Sequence, residues 1–574
     1  MNFVSFKIKL TILASLIFAL ASSSFAQESK DARTEQVDKI FAVWDKPDSP
    51  GCALAIIKDG RIIYKRGYGI ANLEHNIPIS STTIFDTGSV SKQFTAMSML
   101  LLAEAGKLSL DDDIRKYMPE IPQYESTITI RHLIHHTSGL RDYLTLMALR
   151  GERDDDFYVD EEVVDLLARQ KQLNFKPGEQ WLYSNSGYFL LSQIVKRVSG
   201  KTLRQFADEN IFKPLGMKNT HFNDDHTEIV KGRATGYAPG PGGFHISISP
   251  LDMVGDGNVV TNVEDLFLWD QNFYHNKLGK GGQDLINQAL TTGVLNSGKK
   301  LDYAAGLVIT DYSGVKEVSH GGAFVGYRAG IVRFPDQQFS VACECNLATT
   351  NPVALAHRVA DVYLSGQFKQ SAAKSTAQPA DNTKFIQLSE QELKEKTGAF
   401  RNPVTGMILK LSTSEGRLKS TVNGRTINFA PTSATDFQSL SGQIKMALKF
   451  EKQDGSKPLL VHVTVEDQPP VTLEEVELVS PAAAQLADYA GDYYSEELGV
   501  IYRVVLENGK LFIRHENKYK DLPKQALEPT VRDTFTVQGI NLNFKRDDQN
   551  RINAFTADAG RVRNVRFMKK AARD

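Results

Sequence analysis

The chain has 574 residues, with 67 Lys+Arg against 68 Asp+Glu and a formal net charge of -1. A hydrophobic fraction of 41% and a charged fraction of 24% are ordinary for a globular protein and exclude wholesale disorder or a fibrous repeat. The near-neutral balance supplies no basic field to hold phosphates, so nucleic acid is not an expected partner, and the length requires more than one hydrophobic core.

In chain order, Lys7 and Lys9 precede an apolar run from Leu10 to Leu20, and Ser24-Phe25-Ala26 places small residues at both recognition positions of a cleavage site. Residues 1–26 are therefore predicted to be a secretory signal peptide, too short for a membrane span. No later stretch approaches the roughly 18 apolar residues of a spanning helix. The mature protein is expected to be exported, periplasmic or secreted, with no membrane span.

Residues 27–368 mix strands with helices and are predicted to form one domain. Cys52–Ile57 and Arg61–Gly67 read as a hairpin joined through Asp59-Gly60. Ser91 to Glu104 carries apolar residues near helical spacing and ends at Gly106. Tyr188 to Val198 is a second apolar helix. Ala329–Phe334 and Phe339–Cys345 read as strands around Pro335-Asp336, and Pro352–Leu364 as a closing helix. The three cysteines, Cys52, Cys343 and Cys345, are too few for a disulfide scaffold. They read as small buried strand residues, with a bridge from Cys52 to Cys343 or Cys345 as the alternative.

Residues 369–384, rich in Ser, Ala and Gln, are predicted to be a linker. Beyond it a weak repeat joins Thr397-Gly398-Ala399-Phe400 to Tyr489-Ala490-Gly491-Asp492-Tyr493. Short strands with frequent turns then predict two small all-β barrels, over 385–480 and 481–574. The basic segment from Arg561 to Lys570 alternates with Val and Phe and reads as a last strand with a polar outer face.

Three short motifs carry candidate chemistry. In Ser89-Val90-Ser91-Lys92 the hydroxyl and the amine are three apart at a helix start, so they share a face. The helix N-terminus aims N–H groups at the same place. Among apolar neighbours such as Phe94 and Met97, a lysine is able to act as a base. Ser297, Ser313 and Ser371 repeat the S-x-x-K spacing, so the motif alone is weak. Tyr183-Ser184-Asn185 offers a phenol as proton shuttle and an amide to hold a substrate, although a core tyrosine is the plain alternative. His320-Gly321-Gly322, followed by Ala323, lets a second backbone approach. The N–H of Ala323 is expected to pair with that of Ser89 in an oxyanion hole.

Taken together and in this order, the motifs resemble the penicillin-recognising serine hydrolases: class C β-lactamases, D,D-carboxypeptidases, D-aminopeptidases and related esterases. Phe85-Asp86-Thr87-Gly88, the segment from Ile130 to Leu140, Pro214-Leu215-Gly216-Met217 and Gly257 to Trp269 extend the resemblance over most of residues 35–366. It implies an α+β fold, a largely antiparallel sheet flanked by helices with a helical region beside it. It implies Ser89 as nucleophile, Lys92 and Tyr183 as the proton-transfer pair, and Asn185, His320, Gly321 and Gly322 as substrate-binding residues. No cofactor or metal is implied, and His132, His135 and His136 become helix-end packing residues.

One departure shapes the expected substrate. The β-lactamases usually carry K-T-G where this chain has His320-Gly321-Gly322, and His is largely neutral at pH 7. The literal Lys396-Thr397-Gly398 lies beyond the linker and matches the repeat, so it is assigned to barrel construction. The resemblance therefore points toward a D-aminopeptidase, D-peptidase or esterase acting on a small peptide, amide or ester. A β-lactamase is the rival enzyme, and a silent binder of cell-wall fragments or lipid the rival outside enzymes.

Overall fold

The structure, a computed structural model, describes residues 32–153, 155–368, 385–403, 406–422, 425–440, 446–452, 459–465, 470–516 and 523–571. The signal-peptide prediction for 1–26 and the linker prediction for 369–384 lie outside the described residues.

The first domain is built on six antiparallel strands. Helix α1 (Ala32–Phe41) leads into β1 (Cys52–Lys58) and β2 (Arg61–Tyr68). Helices α2 (Lys92–Glu104) and α3 (Asn185–Ser199) follow, then β3 (Val308–Tyr312), β4 (Val315–Phe324), β5 (Tyr327–Phe334), β6 (Phe339–Cys345) and helix α4 (Pro352–Leu364). The spatial order is β3-β4-β5-β6-β1-β2, so the chain's first strands complete a sheet that its last strands begin.

The sheet is covered on both faces, which explains why β1 is apolar throughout rather than alternating. Cys52, Leu54 and Ile56 pack with Val37 and Phe41 of α1 and Leu355 and Val359 of α4. Ala53 and Ala55, on the opposite face, join the larger core that contains Phe94, Phe189 and Trp269. Between α2 and α3 lie the expected helical segments, Ile130–Ile134, Tyr143–Arg150 and Asp160–Ala168.

Cys52 faces Cys345 across β1 and β6, and the two form a disulfide, while Cys343 is free and buried. The reading of all three as unpaired core residues is thereby corrected. Strand periodicity puts Cys343 and Cys345 on one face, but only the register of β1 against β6 decides which of them meets Cys52.

Eight strands between Gly398 and Val476 close into a barrel, which Lys396-Thr397-Gly398 enters at its first strand. The last domain is a nearly closed barrel of nine strands. Its two edges, Gln525–Ala526 and Glu528–Pro529, are short strands adjacent in the chain, a length that leaves little unpaired edge. Two of its strands, β7 (Ile552–Ala559) and β8 (Val562–Lys569), form a hairpin whose tip is Gly560-Arg561.

Candidate active site

A single tight contact between two backbones organises the site. Ser89 lies in the 3-10 turn Gly88–Ser91 that leads into α2, and Gly88 adopts φ +50°. A Cβ on Gly88 would stand 2.8 Å from the nitrogen of Ala323, and one on Gly322 would stand 1.8 Å from the carbonyl oxygen of Thr87. Only glycine permits this approach of β4 to the turn. Gly321 faces the other way: its Cβ direction meets Val353 of α4 at 3.2 Å.

Lys92 is fully buried, and its Nζ donates to Ser89 Oγ at 3.2 Å, Asn185 Oδ1 at 2.9 Å and the carbonyl oxygen of Asp256 at 2.5 Å. These three acceptors match the three donors of an ammonium group. The apolar surroundings read from Phe94 and Met97 are thus joined by oxygens from the start of one distant helix and from one distant loop. Asn185 opens α3, and its backbone N–H donates to Asp142 Oδ2 at 2.8 Å.

The ring centroid of Tyr183 lies 4.9 Å from Lys92 Nζ. Its hydroxyl is buried and makes no hydrogen bond among the described residues. The His136 ring is tilted against the Tyr183 ring, with centroids 4.2 Å apart. The Nδ1 of His136 accepts from the N–H of Ser184, whereas its Nε2 has no partner among the described residues. Burial first, then the charge of Lys92, pushes His136 well below the usual histidine range. His320 receives a hydrogen bond from the Tyr303 hydroxyl at Nε2 (3.0 Å) and donates from Nδ1 to Gly321 O (2.6 Å). Burial, then Lys92, lowers it to about 4, so both imidazoles are neutral at pH 7.

A cavity beside Ser89 is lined by Asn185, Tyr143, Asp256, Ala323 and Leu251. Tyr143 donates to Asp256 Oδ2 at 3.1 Å, and burial raises Asp256 to about 6 against the lowering effect of Lys92. On the Tyr183 side the hairpin tip arrives from the last barrel. The Arg561 guanidinium lies 4.8 Å from the Tyr183 ring centroid and 3.7 Å from Asp142 Oδ2.

All three motifs therefore meet around Ser89. Sequence reasoning missed Asp142, Tyr143, Asp256, Tyr303 and the reach of Arg561, whereas His136, read as a packing residue, is buried and packs on the Tyr183 ring. The last strand expected from the basic segment is present, with Val562, Val565 and Phe567 buried and Asn564 and Arg566 exposed, and Arg561 at the turn before it reaches the site. Among the described residues, groups with metal-donor spacing lie elsewhere: the cysteine cluster, two of whose members are bridged, and Asp225, His226 and Asp252.

The Beta-lactamase family model matches residues 37–364. Penicillin-binding protein 4* of Bacillus subtilis (strain 168) is 31% identical over 326 residues, covering 54% of this chain and 71% of that protein. A D-aminopeptidase of Brucella anthropi (strain ATCC 49188) is 25% identical over 537 residues, covering 91% and 95% respectively. The structure of an octameric penicillin-binding protein homologue from Pyrococcus abyssi superposes with a TM-score of 0.54 at 25% identity, covering 77% of this chain and 99% of that one.

Proposed function

Because the chain belongs to the β-lactamase family, and is a serine hydrolase of that kind, we propose that it cleaves amide or ester bonds through an acyl-enzyme on Ser89. Ser89 Oγ attacks the carbonyl carbon while its proton passes to the Tyr183 oxygen, which the Lys92 ammonium beside the ring favours as acceptor. The carbonyl oxygen, now anionic, accepts from the N–H groups of Ser89 and Ala323, each typically worth about 3–4 kcal/mol of barrier. As the tetrahedral intermediate collapses, Tyr183 hands a proton to the departing amine or alcohol. Water then attacks the ester, and the same groups return a proton to Ser89.

The observation that carries this reading is the 3.2 Å contact between Lys92 Nζ and Ser89 Oγ, with Nζ held from two further sides by Asn185 and Asp256. The preferred substrates are small peptides, amides or esters, D-configured ones included, in line with the D-aminopeptidase likeness that runs through both barrels. Neutral His320 argues against a β-lactamase preference. Export is part of the proposal. It is supported by the charged, apolar and small residues of 1–26 and by the Cys52–Cys345 bridge, since oxidising compartments sustain disulfides.

A fluorophosphonate should add one covalent mass to Ser89 in the native protein. Ser89→Ala should lose that adduct and at least about a thousandfold in turnover. An adduct surviving in that variant would refute the assignment. Nitrocefin hydrolysed as fast as the best ester would replace it with a β-lactamase.

A further inference from the structure

Tyr237–Gly240 and Gly243–Ile246 form an antiparallel hairpin, and its outgoing strand and the segment after it expose Phe244, Ile246 and Ile248 by 39%, 52% and 53%. Elsewhere among the described residues, exposed large apolar side chains come singly or, at Phe157 and Val159, as a pair. Alternation puts Phe244 and Ile246 on one face of the strand, and Ile248 continues the spacing. The result is an apolar strip rather than ordinary scattered exposure.

This strip leads to the cavity beside Ser89. The N–H of Gly326 donates to Ser247 O at 2.9 Å, tying the hairpin to the turn after Phe324. Beyond Ile248 the chain soon reaches Leu251, and Asn258 Nδ2 holds the carbonyl oxygens of Leu251 and Met253, both at 2.9 Å. Leu144, Leu251, Met253 and Phe324 line the cavity, whereas Tyr183, His320 and Arg561 do not. Asp256, the charged group in that wall, is 8% exposed and turns Oδ2 to Tyr143.

We propose that the cavity and the strip together form a subsite for a long unbranched acyl chain, so that fatty-acyl esters and amides belong to the substrate class. The inference rests on the acyl-enzyme reading. The bond from Ser89 Oγ to the acyl carbon forms, the bond to the alcohol or amine breaks, and the departing group leaves with a proton on the Tyr183 side. The acyl group therefore stays on the other side, where the wall is aliphatic. A chain too long for the cavity continues past Leu251 and Met253 onto Ile248, Ile246 and Phe244. Apolar surface of both chain and strip then leaves water, which is the driving force for binding there.

The test measures kcat/KM of the full-length protein for p-nitrophenyl acetate and p-nitrophenyl octanoate, both below micellar concentration. Each added methylene, half withdrawn from water, should raise kcat/KM about twofold, so octanoate should lead acetate by about sixtyfold in the wild type. Replacing the strip as Phe244→Ser, Ile246→Ser and Ile248→Ser together should cut that lead at least about fivefold. A wild-type ratio near one would overturn the inference. An equal loss for both esters in the triple variant, as a purely structural role predicts, would overturn it too. A wild-type dimer that the triple variant converts to monomer, with the ester ratio unmoved, would give the strip to a second copy of this chain and overturn the inference. So would failure to turn over either ester while the fluorophosphonate still labels Ser89. Absence of both labelling and turnover would overturn the acyl-enzyme reading itself, and the inference with it.

Discussion

In the first barrel, Phe400, Phe429, Phe437 and Phe450 close on one another in a core of their own. In the second, Tyr493, Tyr502, Phe555 and Phe567 belong to the same continuous apolar cluster as Phe94 and Trp269 of the hydrolase domain. Polar contacts reinforce that join. The Arg141 side chain, with no solvent exposure, pairs with Glu497 at 2.6 Å and donates to the carbonyl oxygens of Arg563 and Asn564. Tyr502 donates to Leu149 O at 2.6 Å. Two domains built on a similar sequence pattern thus occupy different ranks: one is a self-contained unit, the other is part of the catalytic body. A buried ion pair fixes how the two surfaces meet, since losing either partner leaves the other's buried charge uncompensated.

The sharpest way to break the comparison is Arg141→Ala. It leaves the buried Glu497 carboxylate with only the N–H groups of Lys171 and Arg566 and no counter-charge, and should cost about 3 kcal/mol of stability. It should also cost activity, because Arg561 is held by the same join; thermal melts and ester turnover read the two effects. Phe437→Ala should cost about 3–5 kcal/mol of the first barrel's own stability. Turnover should remain, and calorimetry should resolve an early transition confined to that barrel. Equal loss of turnover in this variant would erase the distinction between the barrels. Tyr502→Phe strands the carbonyl of Leu149 and should cost about 1–3 kcal/mol, read as a lower urea midpoint for the hydrolase body.

The smallest effect concerns acid. His320 is lowered from 6.5 to about 4 by burial, so the unfolded chain binds a proton that the folded one refuses. Its contribution is therefore intact above pH 6.5 and lost progressively as pH falls toward 4. Asp256, raised to about 6, has the opposite sign: the folded state holds the extra proton, and that stabilisation fades as pH rises through 6. His320→Gln should flatten the acid decline of the hydrolase body between pH 6.5 and 4 and leave the first barrel's melting unchanged. A decline of unaltered slope would show that His320 does not govern it.

Much of the site was legible because its parts obey local geometry. Ser89 and Lys92 meet through helical spacing, Gly322 is small because β4 runs against the Ser89 turn, and β1 is apolar because both its faces are covered. His136 packs as expected, but a histidine at a helix end looks the same in sequence whether its ring lies on aliphatic groups or on the Tyr183 phenol. Arg561 carried no sequence signal, since a basic residue at a hairpin tip is ordinarily solvated.

From the sequence, strand and turn patterns marked the two β domains and helical spacing paired Ser89 with Lys92, while the resemblance of the three motifs to a known family implied the α+β hydrolase domain and the meeting of Tyr183, Asn185 and His320 at Ser89. Only the tertiary structure decided that Cys52 meets Cys345, that Asp142 and Asp256 brace Asn185 and Lys92, and that one barrel reaches the phenol while the other keeps its own core. The reason is range. Local patterns fix where a side chain sits on its own element, whereas contacts between elements hundreds of residues apart depend on strand register and on how whole apolar faces dock.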